Sequence, residues 1–194
     1  MIHFTSDLHL FHIMMATIRK FKSVQEMNET LVNNWNSVVG KYDDVYFLGD
    51  LFLGRASQIK ELEALIYSLN GNIFWIKGNH DRKTPKIIEE RFRWIKDIEK
   101  IKIIDEDHPH GKQEIILCHY AMRTWNKAHH GSWHLYGHSH GDLPDDPASR
   151  SFDVGVDCHN FTPITYQRVK EIILAKEVAA EKAGLKFYGH HAGK

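Results

Sequence analysis

Short apolar runs that stop at a glycine or polar residue, and then deliver a carboxylate, an amide or an imidazole, recur along this chain. That punctuation restricts its fold more than any other feature. Residues 2–5 run into Ser6-Asp7, 45–48 into Gly49-Asp50, 73–76 into Gly78-Asn79-His80-Asp81, 114–118 into His119, and 133–136 into Gly137-His138-Ser139-His140. Four or five apolar residues bounded in this way read as buried strands. Between them, Ser23 and Glu26 form a capping-box pattern, and Val24, Met27, Leu31, Trp35 and Val38 follow at helical spacing until Gly40. Ile59, Leu62, Leu65, Ile66 and Leu69 give a second helix, closed by Asn70 and Gly71. Strands alternating with helices predict an α/β fold, in which ligands gather at the carboxyl ends of the strands. Five strands thus aim metal-type side chains at one edge.

The remaining elements are read the same way. Thr84 is predicted to cap a short helix with Pro85 at its first position, running toward Arg91. Residues 101–104 and 114–118 flank Pro109-His110-Gly111 as a hairpin, 151–156 form the last strand, and a helix over 165–183 stops at Gly184. With 194 residues the chain can build one sizeable core. No repeat or linker divides it, so one domain is expected over 1–184, followed by a tail over 185–194, with 144–147 an exposed turn.

Charge disfavours some partners. Lys plus Arg equals Asp plus Glu at 25 each, so no basic field favours nucleic-acid backbone or anionic membrane, and phosphate recognition must be local. No apolar run approaches the roughly 18 residues of a membrane span. The start lacks the regions of a signal peptide, and a cytoplasmic location is expected. Cys118 and Cys158 are too sparse for a disulfide framework and are expected to be free thiols. The unusual quantity is histidine, at 15 residues, many beside Asp, Asn or Gly. That points toward metal or proton chemistry.

Asp7 and His9 stand two residues apart, a spacing that in extended geometry puts both side chains on one side. The two oxygens of Asp50 can bridge a pair of metals, and the preceding glycine lets the backbone approach closely. Asn79 offers an amide oxygen, while His119, His138 and His140 offer nitrogens suited to first-row transition ions. Two divalent cations against two ligand carboxylates leave the site cationic, which implies an anionic substrate. Paired metals about 3.5 to 4 Å apart are the usual device for activating water and clamping phosphoryl oxygens.

Taken in order, Asp7-Leu8-His9, Gly49-Asp50, Gly78-Asn79-His80-Asp81, His119 and Gly137-His138-Ser139-His140 resemble the signature of the calcineurin-like metallophosphoesterase family. Segments 7–12, 26–36, 45–51, 119–125 and 129–141 are similar to its small bacterial and phage phosphoesterases. The resemblance implies a four-layer α/β/β/α sandwich, two facing mixed β-sheets flanked by helices. It further implies that Asp7, His9, Asp50 and His140 hold one metal and Asp50, Asn79, His119 and His138 the other. Protein serine/threonine phosphatases of the superfamily fit less well, because the segment after Asp50 lacks their longer block and the Asn79 block ends in Asp81 rather than Glu.

The expected reaction is hydrolysis of phosphodiester or phosphomonoester bonds in small, nucleotide-like molecules, by attack of a hydroxide bridging the metals. His80 is expected to protonate the leaving group, with Asp81 orienting it. Manganese is the expected ion, and the donor set also suits iron, zinc or nickel. Arg123 is a candidate for bidentate phosphate binding against a plain surface charge. Trp125 is a candidate for stacking on a base against anchoring its loop, and His12 for lining the pocket against packing at a helix start. His3 and His134 read as structural, Cys118 as core, and His108, His110, His190 and His191 as solvent-exposed. Asp157, His159 and Asn160 read as hydrogen-bonding support. A nuclease would call for a basic groove that the balanced charge does not advertise. A non-catalytic protein-binding scaffold would have lost His80 or several ligands, and all are intact.

Overall fold

The computed structural model describes residues 1–187. His190 and His191, and the tail from 188 onward, lie outside the described residues. The elements in chain order are β1 (Ile2–Thr5), α1 (Ile13–Ile18), α2 (Val24–Val38), β2 (Asp44–Phe47), α3 (Ile59–Ser68), β3 (Asn72–Ile76), α4 (Lys86–Glu89), β4 (Ile95–Lys96), β5 (Ile98–Ile104), β6 (Lys112–Cys118), β7 (Trp133–Tyr136), β8 (Ser151–Asp153), β9 (Ile164–Thr165) and α5 (Tyr166–Lys182).

Two mixed sheets result. The first has the order β4-β3-β2-β1-β9, with β1 to β4 parallel and β9 antiparallel to β1. The second has the order β5-β6-β7-β8, antiparallel only between β5 and β6. Parallel pairing needs crossovers, which α2 and α3 supply between β1, β2 and β3. Alternation along the strands sorts the core into two layers. Val45, Phe47, Ile73 and Trp75 pack against Met27, Leu31, Trp35, Leu62 and Ile66 of the helices. Phe4, Leu48 and Ile76 meet Ile115, Leu117, Trp133 and Leu135 of the other sheet, and Val169 and Ile173 of α5 join that cluster. Trp35 is buried without penalty because its indole N–H donates to the Asn70 carbonyl at 3.0 Å.

Ser23 caps α2 by accepting from the Glu26 N–H, and the Glu26 carboxylate accepts from the Lys22 N–H. Pro85, rather than Thr84, takes the cap position of α4, because the Thr84 hydroxyl donates back to the Asp81 carbonyl. The last predicted strand stops at Asp153, whose carboxylate accepts from the Gly155 N–H and turns the chain. Beyond that turn Gly155 forms an isolated parallel bridge with Ser6, so the ends of β1 and β8 join the two sheets directly. Helix α1 and the two-residue strands β4 and β9 carry too few apolar repeats to show in the sequence. Among the described residues no helix is long and apolar enough to cross a membrane.

Candidate metal centre

The five expected strand ends converge. Asp7 and His9 follow β1, Asp50 follows β2, Asn79 and His80 follow β3, His119 follows β6, and His138 and His140 follow β7. Two groups of ligand atoms form there: Asp7, His9 and His140, and Asp50, His119 and His138, with the atoms of each group within 4.8 Å of one another. Each group draws on both sheets. Asn79 joins the second, its Oδ1 lying 3.1 Å from Nε2 of His119. One oxygen stands between the groups: Asp50 Oδ2 is 3.5 Å from Nε2 of His9 and 3.4 Å from Nε2 of His119.

The backbone reaches this arrangement differently from the extended path expected. Asp7 and His9 have φ of 61° and 49°, and His138 and His140 have 68° and 48°, all in the left-handed region. The paired side chains therefore converge because the loops curl. Asp50, at φ 57°, is a fifth such residue. Non-glycine residues held there cost free energy, of order 1 kcal/mol or more each, and persist where the surroundings fix them. The glycines allow the close approaches. A Cβ on Gly78 would sit 2.2 Å from Asp50 Oδ1, and one on Gly137 would sit 2.1 Å from Ser6 Oγ and 2.3 Å from Asp7 Oδ2.

The surrounding hydrogen bonds orient the ligands. Nδ1 of His119 is 2.7 Å from the Leu48 carbonyl, which places its proton there and leaves Nε2 free to bind a cation. Asp7 Oδ2 accepts from the His138 N–H at 2.9 Å, and Asp50 Oδ1 from the His80 N–H at 3.0 Å. Burial pushes the Asp50 carboxyl up, but its contact with His119, the bond from the His80 amide and the nearby His9 ring bring it to about 2. Its ionised form is therefore held ready for a cation. Asp7 Oδ1 and Nε2 of His9 are buried and have no hydrogen-bond partner among the described residues, the condition expected of atoms whose partner is a metal ion. Carboxylate, amide and imidazole donors fit such an ion.

Asp157 lies behind His140, as its supporting role anticipated, and it is held by a residue the sequence did not flag. Arg19 donates to both Asp157 oxygens at 2.7 Å, and also to the Asp7 and Leu8 carbonyls at 2.7 and 3.0 Å. Its only sequence cue is its place at the end of α1, a helix too short to predict. Tyr120 was also missed. Its ring lies 5.1 Å from that of His119 and 4.8 Å from that of His138.

Asp81 does not meet the expectation that it orients His80. It is fully buried, and its oxygens accept from the N–H groups of Asp50, Leu51 and Gly78 at 2.7, 2.9 and 2.7 Å. It fixes the loop that carries Asp50. The His80 ring instead faces the centre, with Nε2 3.9 Å from Asp50 Oδ2. His12 packs at the helix start, its Nδ1 accepting from the Met15 N–H of α1, and its ring lies 5.6 Å from that of His9. Trp125 anchors its loop, donating to Ser132 and packing against His134 on the outer face of the second sheet. Arg123 is exposed and makes no hydrogen bond or ion pair among the described residues. His134 is structural, as expected, and so is His3, which is buried on β1. His159 supports the Asp153 turn, 2.9 Å from its carbonyl, and both cysteines are free thiols.

The model of the calcineurin-like phosphoesterase family matches residues 1–158. An uncharacterized protein of Methanocaldococcus jannaschii is 32% identical over 179 residues, covering 89% of this chain and 90% of its own. The Gene 66 protein of Mycobacterium phage L5 is 29% identical over 176 residues, covering 79% of this chain and 85% of its own. The crystal structure of a protein of unknown function from Aquifex aeolicus shares the fold, with a TM-score of 0.67 at 20% identity, covering 89% of this chain and 98% of that one. The matched span takes in every ligand candidate from Asp7 to His140, and the chain belongs to the calcineurin-like phosphoesterase family.

Proposed function

We propose that this chain hydrolyses phosphodiester or phosphomonoester bonds of small, nucleotide-like molecules at a dinuclear metal centre. The position of Asp50 Oδ2, within 3.5 Å of an imidazole nitrogen from each ligand group, is the observation that carries this reading. Two divalent cations, manganese by preference, would when bound acidify a water and neutralise phosphoryl oxygens. Asp7, His9, Asp50 and His140 would hold one, and Asp50, Asn79, His119 and His138 the other. Leu48, through Nδ1 of His119, and Asp157, through Nδ1 of His140, fix which nitrogen of each ring faces inward. His80, 37% exposed in its side chain and close to Asp50, gives a proton to the departing ester oxygen. Asp81 keeps the Asp50 and Gly78 loops in register for that transfer.

The test is hydrolysis of matched 4-nitrophenyl mono- and diesters with and without manganese, by the wild type and by His80→Ala, alongside metal analysis. Metal-dependent turnover that falls at least about 100-fold in His80→Ala, with both metals retained, is expected. Absence of metal-dependent hydrolysis overturns the proposal, and undiminished turnover in His80→Ala removes that residue from the acid role.

A further inference from the structure

Exposed apolar surface borders the centre on two sides, and the chemistry above leaves it unused. Beside Asp7, His9 and His140, the His12 cap leads into α1, where Ile13 and Met14 are each 67% exposed. They line a cavity of about 540 Å³ together with Leu53, itself 41% exposed, and with Phe11, His12 and Arg55. His12 is the shared wall, because its ring also packs 5.6 Å from the His9 ring. Beside Asp50, His119 and His138 stands Tyr120, 45% exposed, with its ring against both imidazoles. The two flanks thus belong to different ligand groups, with Asp50 Oδ2 between them.

Apolar area left in water beside a reactive centre favours whatever apolar group can cover it. A phosphomonoester brings one organic group to the phosphorus, whereas a phosphodiester brings two. The buried arginine does not favour the first case. Arg19, the arginine buried beside the centre, directs its guanidinium to Asp157 and to the Asp7 and Leu8 carbonyls. It therefore offers the extra charge of a monoester dianion no direct contact. We propose that the centre selects phosphodiesters with two apolar or aromatic ester groups, one against Ile13, Met14 and Leu53 and the other against Tyr120.

This inference rests on the reading of the centre as a phosphoesterase, and the experiment separates the two. The manganese-loaded protein is assayed with bis(4-nitrophenyl) phosphate, methyl 4-nitrophenyl phosphate and 4-nitrophenyl phosphate, which share one leaving group. Binding of diphenyl and dimethyl phosphate is measured in parallel by calorimetry. The expected result is kcat/KM at least about tenfold higher for the diaryl diester than for the other two, and tighter binding of diphenyl phosphate. In Met14→Ser, Leu53→Ser and Tyr120→Ser the aryl-to-methyl ratio falls toward one, chiefly through KM. In Ile104→Ser, which alters an exposed apolar residue on β5, the ratio stays. Equal kcat/KM for the two diesters, a preference for the monoester, or ratios unmoved by the three substitutions overturns the inference while leaving the phosphoesterase reading intact. Selective binding of diphenyl phosphate without any hydrolysis supports the inference and overturns that reading.

Discussion

Oδ2 of Asp157 lies 2.7 Å from Nδ1 of His140, so a carboxylate outside the ligand set decides which nitrogen of that ring faces Asp7. Arg19 holds the same carboxylate in place with two further bonds. Asp157→Ala should therefore weaken metal binding at the Asp7, His9 and His140 group by about 10- to 100-fold and spare the Asp50, His119 and His138 group. Metal analysis after dialysis at graded free manganese would show two equivalents falling to one. Two equivalents binding as in the wild type would remove Asp157 from that role.

Asp81→Asn tests the loop role against the expected orienting role. The carboxylate satisfies three backbone N–H groups, and an amide presents donors where an acceptor is required. Unfolding by urea should show a loss of about 1 to 3 kcal/mol in the metal-free protein, because a buried donor is left unpaired. A stable variant whose pH–rate profile alone shifts would restore Asp81 as the partner of His80.

His134 makes stability depend on pH away from the metals. Its Nδ1 is 3.0 Å from the Ile116 carbonyl and its Nε2 accepts from the Met122 N–H at 3.1 Å, so the neutral ring is the one that fits. Burial lowers its pKa from 6.5 to about 4, against the smaller effect of the Ile116 and Tyr120 carbonyls. The unfolded chain thus takes up a proton below pH 6.5 that the folded chain refuses until near pH 4. The stabilisation is complete above 6.5 and lost as the pH falls through that window, by roughly 3 kcal/mol. Urea midpoints of metal-free protein between pH 7.5 and 4.5 should fall more steeply in the wild type than in His134→Gln. Parallel slopes would contradict this account.

Gly137→Ala should disturb the centre by contact alone, since the added carbon meets Ser6 Oγ and Asp7 Oδ2. Overpacking of this kind costs about 1 to 3 kcal/mol. Displacement of Asp7 should also release the metal of its group, which metal analysis would detect. Wild-type occupancy and stability would show that the loop can yield.

The strand ends that meet at the candidate centre were legible because each depends on local signals: an apolar run, a glycine or polar residue, then a donor. The apolar spacing of α2 and α3 was equally plain, and both helices appear where predicted. The contacts between distant segments were not. Arg19 and Asp157 are 138 positions apart, and nothing local to either marks the pairing. Asp81 was misread because adjacency to His80 suggested contact, whereas the turn after β3 sends the two side chains to different partners. Trp125 was left between two readings, since an aromatic residue in a loop looks alike whether it faces a ligand or closes over a sheet. The curl at Asp7 and His9 was missed because an aspartate or histidine in the left-handed region carries no distinctive neighbour.

Because each ligand group takes side chains from both sheets, a bound cation would act as a rivet through the sandwich as well as a reagent. The seam it would fasten is the one where Ser6 meets Gly155. Resistance to unfolding then becomes a readout of free metal, gaining about 2.7 kcal/mol at a hundredfold excess over the dissociation constant. A chelator would loosen the molecule first along that seam, and amide exchange at Val156, whose N–H donates to the Ser6 carbonyl, should quicken before that of the Leu31 and Trp35 turns of α2.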